Sequence, residues 1–122
     1  MAEWIDICSV DDLQPDSGVC ALVEGEQVAI FWMPEPDAKI YAVGNYDPIG
    51  KANVLSRGLI GDIEGQFVVA SPLYKQHFNL ETGDCLEDET VKIPVYAVRI
   101  ENARVQVNPS SLLHDGEKSY EI

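Results

Sequence analysis

"VVASPLYKQHFNLETG", residues 68–83, reads as a strand, a loop that breaks out of it, and a shorter strand coming back. Val68, Val69 and Ala70 are β-branched or small and continue an apolar run from Phe67, the composition of a half-buried strand. Pro72 then fixes its own φ and removes an amide donor, so the ladder cannot continue through it. "HFNLETGDC" resumes as a strand and ends in a turn at Thr82-Gly83, where glycine permits the sharp reversal.

Outward from that stretch the same punctuation recurs every 8 to 15 residues, with little helical periodicity, as expected of an all-β domain. "WIDICS", "VCALVE", "QVAIFWM" and "KIYAVGN" read as successive strands, the last following a turn over residues 34–37. "QVAIFWM" is apolar on both faces, with Val28, Ile30 and Trp32 on one and Ala29, Phe31 and Met33 on the other. That places it inside a sandwich, at the centre of the core. "VLSRGLIGDIEGQFVVASPLY" contains two β-runs joined by "GDIEGQ", whose glycines and Asp62 suit a tight hairpin. "PVYAVRIENARVQVN" reads as a further hairpin, with Tyr96, Val98 and Ile100 sharing a face and Glu101-Asn102 turning the chain. The final "PSSLLHDGEKSYEI" is expected to be a loosely ordered tail or one short helical turn, which divides the chain into a domain over 1–108 and a tail over 109–122.

With 122 residues, 46% hydrophobic, the chain suits one domain with one core and needs no covalent staples. Its formal net charge of −13 argues against nucleic acid and against an anionic membrane as partners and leaves protein as the expected one. Cys8, Cys20 and Cys85 have no CxxC or CxH spacing, so they suggest neither a disulfide framework nor zinc. The start "MAEWIDICSV" carries acids where a secretory signal carries bases, and no apolar run approaches ~18 residues. A cytoplasmic location is expected.

Two of these loops carry a resemblance. "AVGNYDPIG", residues 42–50, and "VVASPLYKQHFNLETG" together resemble the two cluster-binding loops of Rieske proteins. In that family a CxH and a CxxH hold a two-iron, two-sulfur cluster, and the second loop runs CPLHGWxFDLxTG. The resemblance implies a Rieske-like antiparallel β-sandwich with two protruding loops. It puts Asp47 and Ile49 in the places of the first ligand pair, and Ser71 and Tyr74 in those of the second. Iron–sulfur clusters take thiolates and imidazoles; carboxylate, alkyl, hydroxyl and phenol do not replace them. No cluster and no other metal is therefore expected here. In its place, Ser71 or Asp47 would hydrogen-bond loop amides and Ile49 would fill space by packing; Tyr74 either joins Ile49 or lies exposed.

Rieske-like chains without ligands are found in one group this sequence resembles from "WIDICSVDDLQPDSGVCALVEGEQVAIF" through "SRGLI", "ASPLYKQ" and "CLEDE" to the last hairpin. That group is the small subunit of the bacterial cytoplasmic NAD(P)H-dependent nitrite reductase. The resemblance implies an accessory, non-redox subunit that docks on a large subunit. The large subunit would carry FAD, an Fe-S cluster and sirohaem and perform the reduction of nitrite to ammonium. No residue of this chain is then catalytic and none binds a cofactor. "GLIGDIEGQ" does not match a dinucleotide-binding GxGxxG.

Lys51, Arg57 and Lys75 lie in or beside the two loops, and "ETGDCLEDE" places five acids beyond them. Opposite patches suit oriented docking, so these three are the candidate docking residues; solvated loop charges, and for Arg57 a structural salt bridge, are the alternatives. His77 reads as a strand-surface or cross-strand histidine. Trp4 and Trp32 read as core anchors. Two other function classes remain open: a Rieske-type ferredoxin with an unrecognised redox centre, and a free-standing enzyme using Asp47, Ser71, Tyr74 and His77 as acid, base and nucleophile.

Overall fold

In the computed structural model, residues 4–34 and 38–112 are described, with side chains as far as Pro109. Eleven strands follow one another: β1 (Ile5–Ser9), β2 (Ser17–Val23), β3 (Glu26–Met33), β4 (Lys39–Gly44), β5 (Tyr46–Asp47), β6 (Ala52–Asn53), β7 (Leu59–Ile63), β8 (Gln66–Ala70), β9 (His77–Asn79), β10 (Val95–Glu101) and β11 (Arg104–Leu112). Six of them form one sheet in the order β1-β11-β10-β4-β3-β2, three form a second in the order β7-β8-β9, and β5 pairs with β6. Every ladder among the described residues is antiparallel, so the expected all-β antiparallel architecture is the one found.

β3 lies between two cores, and its alternation is the reason. Ala29, Phe31 and Met33 enter a core shared with Val43, Val69, Phe78 and Leu80, between the large sheet and the small one. Val28 and Ile30 enter a second core with Val23, Ala42, Val105 and Val107, enclosed by the large sheet itself. A strand buried on both faces has no room for polar side chains, which is why "VAIFWM" is continuous. One expectation needs correcting: the domain has two cores. Trp32 is half-buried against the second core. Trp4 is half-buried beneath the Arg99 guanidinium, which sits 4.3 Å from the ring centroid.

Three hairpins among the described residues close with two-residue turns whose central residues both have positive φ, as their twist requires. Glu24 and Gly25 (φ 50° and 87°) join β2 to β3, and Glu64 and Gly65 (52° and 84°) join β7 to β8. Asp62 Oδ1 accepts the Gly65 N–H at 2.9 Å, while Gly61 belongs to β7 rather than to the turn. The last hairpin turns one residue later than the sequence suggests. Glu101 pairs with Arg104, and the turn is Asn102-Ala103 (55° and 63°). Asparagine tolerates that conformation better than glutamate does, and the Ala103 carbonyl is held by the Val10 N–H at 2.9 Å.

Two further stretches depart from expectation. Leu55–Arg57 is a 3-10 turn, not part of a strand. Leu55 is fully buried, and the single turn swings it inward while its N–H reaches the Asn45 carbonyl at 3.0 Å. At the other end, β11 continues through Pro109 to Leu112, whose partner is Tyr96. Residues 109–112 are thus strand rather than tail, and residues 113–122 lie outside the described residues. So do residues 35–37 of the turn expected at 34–37; beside them the Ala38 N–H donates to the Pro34 carbonyl at 3.0 Å.

Candidate functional site

The loops after β4 and after β8 fold alike, and the likeness is visible in their sequences. "DPIGK" (47–51) and "SPLYK" (71–75) each begin with a short polar side chain before proline. In both, that side chain accepts the N–H two residues on: Asp47 Oδ1 from Ile49 at 2.8 Å, Ser71 Oγ from Leu73 at 3.2 Å. In both, its carbonyl accepts from the lysine four residues on, Lys51 at 2.6 Å and Lys75 at 3.0 Å. Each lysine closes its turn in the left-handed region, at φ 61° and 67°. Local side-chain bonds of this kind hold a turn without secondary structure around it.

The two turns are joined where they begin. The Ser71 hydroxyl donates to Asp47 Oδ2 at 2.5 Å, and both side chains are fully buried. Oδ1 also takes the Gly50 N–H at 3.0 Å, so this carboxylate accepts three bonds inside the protein. Such satisfaction is what makes a buried carboxylate tolerable. Gly50 marks the closest approach of the loops: a Cβ there would run into Leu73 Cδ1 and would stand 2.9 Å from Asp47 Oδ2.

Of the candidate positions, the structure brings Asp47 and Ser71 into direct contact. Ile49 is half-buried and packs on the first core. Tyr74 takes the exposed alternative, at 65%. Two loops already closed by a 2.5 Å bond leave no volume between them for a ring to fill. Lys51, Arg57 and Lys75 are all exposed, and among the described residues no ion pair involves any of them. The salt bridge entertained for Arg57 is therefore absent from those residues.

His77 sits at the root of the second loop, 2.6 Å through Nδ1 from Glu87 Oε2, while its backbone N–H donates to Glu87 Oε1 at 2.8 Å. Its carbonyl accepts from Leu86 at 2.8 Å. Partial burial alone would raise the Glu87 pKa, but the His77 amide and ring outweigh it and hold the carboxyl below its ordinary range. With Ser71 committed to Asp47 and His77 to Glu87, the acid, base and nucleophile of the free-standing enzyme reading do not assemble.

Sequence reasoning missed Asn45. It is 2% exposed, accepts the Ser56 N–H on Oδ1 at 2.7 Å and donates to Gln27 Oε1 at 3.0 Å. It pins both ends of the first loop to β3. The signal was a lone polar residue ending the apolar run of β4.

Whether these loops suit a two-iron cluster is a question of donors. At the four positions stand a carboxylate saturated by three hydrogen bonds, a hydroxyl bonded on both sides, an alkyl group and an exposed phenol. None is a thiolate or imidazole, so the donor set does not fit the cluster. Among the described residues no group of three or more His, Cys, Asp or Glu is placed to hold a metal. No helix of the described residues is long and apolar enough to cross a membrane.

Comparison with known proteins agrees with this architecture. The family model of the Rieske-like [2Fe-2S] domain matches residues 3–108. The nitrite reductase (NADH) small subunit of Escherichia coli K12 is 47% identical over 107 residues, 88% of this chain and 98% of that one. The NMR structure of the Escherichia coli protein NirD superposes with a TM-score of 0.81 at 46% identity, covering 91% of this chain and 100% of that one. A segment of the Klebsiella oxytoca nitrite reductase [NAD(P)H] large subunit is 36% identical over 116 residues, 95% of this chain but only 12% of that one. A Rieske-like sandwich matched almost end to end at such identity leaves one assignment: the chain belongs to the nitrite reductase small-subunit family, within the Rieske-like domains.

Proposed function

We propose that this chain is the non-redox accessory subunit of a cytoplasmic NAD(P)H-dependent nitrite reductase. It docks on a large subunit that carries FAD, an Fe-S cluster and sirohaem and reduces nitrite to ammonium. The chain itself binds no cofactor and supplies no catalytic residue. Its partner is protein, since a net charge of −13 repels nucleic acid and anionic membranes alike.

The observation that carries the reading is the Asp47–Ser71 hydrogen bond. It occupies the two positions at which a Rieske protein presents thiolates, and it links the same two loops a cluster would link. The scaffold keeps its shape with the redox centre replaced by a proton-mediated bridge. Support for the partner comes from the Klebsiella oxytoca large subunit, in which a related segment is part of the same polypeptide.

The test is a visible absorption spectrum with iron and sulfide analysis on the isolated chain, alongside co-purification from cells grown on nitrite. The expected results are a colourless isolated chain and, from cells, co-purification of a sirohaem-containing chain with it. Iron at roughly two atoms per chain, with the charge-transfer bands of a two-iron cluster, would instead make it a ferredoxin-type electron carrier.

A further inference from the structure

We propose that the tip of the paired loops, with Leu73 and Tyr74 at its centre and Lys51, Lys75 and Arg57 beside them, is the surface that docks on an acidic patch of the large nitrite reductase subunit. The inference rests on the subunit reading above and names the surface and the partner chemistry.

The tip presents apolar and aromatic side chains to solvent. Leu73 is 44% exposed, Tyr74 65%, and Pro72 beside them is exposed as well. An exposed aromatic with an aliphatic neighbour and a rim of cations is the make-up of an interface centre. Gly50 packs on Leu73 and carries Lys51 to its side; Gly58 packs on Ala70 and leaves Arg57 at the root of the same loop. Three of the chain's eight basic residues are thus gathered at one end of a molecule with net charge −13. None is neutralised by an ion pair among the described residues. The surface such a tip complements is carboxylate-rich with an apolar recess, and electrostatic steering then selects this end of the molecule for contact.

The backbone supports the same use. Both lysines occupy the left-handed region, where glycine would sit without strain. Each lysine closes its turn there, so the two cations leave the backbone at matching places in two like turns. The Asp47–Ser71 bond fixes the turns relative to each other before contact, which reduces the ordering that association must impose. The related segment within the Klebsiella oxytoca large subunit supplies the occupant: a stretch of this kind exists there in one polypeptide with the rest of that large subunit.

The experiment is calorimetric titration of the full-length chain into its purified, cofactor-loaded large subunit at several salt concentrations. Lys51→Glu combined with Lys75→Glu is expected to weaken Kd by at least about tenfold and to flatten its salt dependence. Lys39→Glu, a single charge reversal of the same kind at an exposed position on β4, leaves both unchanged. Leu73→Ser weakens binding without altering the salt slope. Lys51→Gly with Lys75→Gly also weakens it while the thermal midpoint stays level or rises, which separates lost docking from lost folding. Binding of the double charge reversal equal to that of Lys39→Glu overturns the proposal while leaving the subunit reading intact. A wild-type chain that fails to bind the large subunit overturns both. A wild-type dimer that the charge reversal dissolves, with large-subunit affinity unaffected, makes the tip a self-contact and overturns the docking assignment.

Discussion

At the scale of single residues the chain's distinctive feature is a buried pair, Asp47 and Ser71, that belongs to neither core. Asp47→Ala would leave the Ile49 and Gly50 amides and the Ser71 hydroxyl without their acceptor. Three donors left without their acceptor, one fully buried and two half-buried, imply a loss of about 3–5 kcal/mol, toward the upper end for one substitution. Ser71→Ala removes one donor to Oδ2 and is expected to lose about 1–3 kcal/mol, because the carboxylate is left buried with one oxygen unpaired. The double variant should fall short of the sum, since the second change removes a partner already lost. Urea denaturation of the three variants against wild type measures that coupling; strict additivity would mean the two side chains do not cooperate. Asp47 and Ser71 were legible as a pair through the resemblance of their two loops to the Rieske cluster-binding loops, and the donor chemistry excluded thiolate roles. It could not show that they touch. A contact between residues 24 apart depends on how two loops converge, which neither loop encodes alone.

At the scale of elements the loops are held in place by close backbone approaches as much as by side chains. Gly58 leaves the Leu55–Arg57 turn with φ −76°, an ordinary value, so its role is spatial. A Cβ there would collide with the Ala70 carbonyl and stand 2.7 Å from Val69 Cγ2. Gly61, three residues later and exposed in β7, has only Val68 Cγ2 at 3.9 Å within reach of a Cβ. The two glycines should answer the same substitution with opposite sign. Gly58→Ala is expected to destabilise by about 1–3 kcal/mol through overpacking at the root of the second loop. Gly61→Ala is expected to stabilise by about 0.5 kcal/mol, as alanine restricts the unfolded strand more than glycine does. Thermal midpoints of the two variants decide this, and a destabilising Gly61→Ala would be the failure. Strand existence was readable throughout because burial on one or both faces imposes alternation or continuous apolarity. Turn positions were readable to within a residue where glycine marks them, as at Glu64-Gly65, and slipped where it does not, as at Asn102-Ala103. The 3-10 turn at Leu55 was hidden because a single turn has no periodicity; only its burial against the first core defines it.

At the scale of the whole molecule, β3 makes one cooperative unit out of two cores. Its odd-numbered residues from Ala29 to Met33 belong to the core between the sheets and its even-numbered ones to the core within the large sheet. Neither core can lose the strand without exposing the other, so both should melt in one transition. The tryptophans allow a direct test. Trp32 packs on the second core, and Trp4 lies under Arg99 of β10, whereas Phe31 is fully buried in the first. Phe31→Ala removes an aromatic ring from a site with no solvent access and is expected to destabilise by about 3–5 kcal/mol. If the cores share their fate, tryptophan fluorescence and far-UV circular dichroism will report the same lowered urea midpoint, although Trp32 and the lesion lie on opposite faces of β3. A fluorescence midpoint that stays at the wild-type value while the dichroism midpoint falls would show the second core surviving alone. The same unity bears on the loops. Their roots run from β4, which contributes Val43 to one core and Ala42 to the other, and from β8, which contributes Val69 to the first. The Asp47–Ser71 bridge therefore joins two elements whose roots the cores already fix, and it orients the tip as well as contributing the stability that Asp47→Ala would lose.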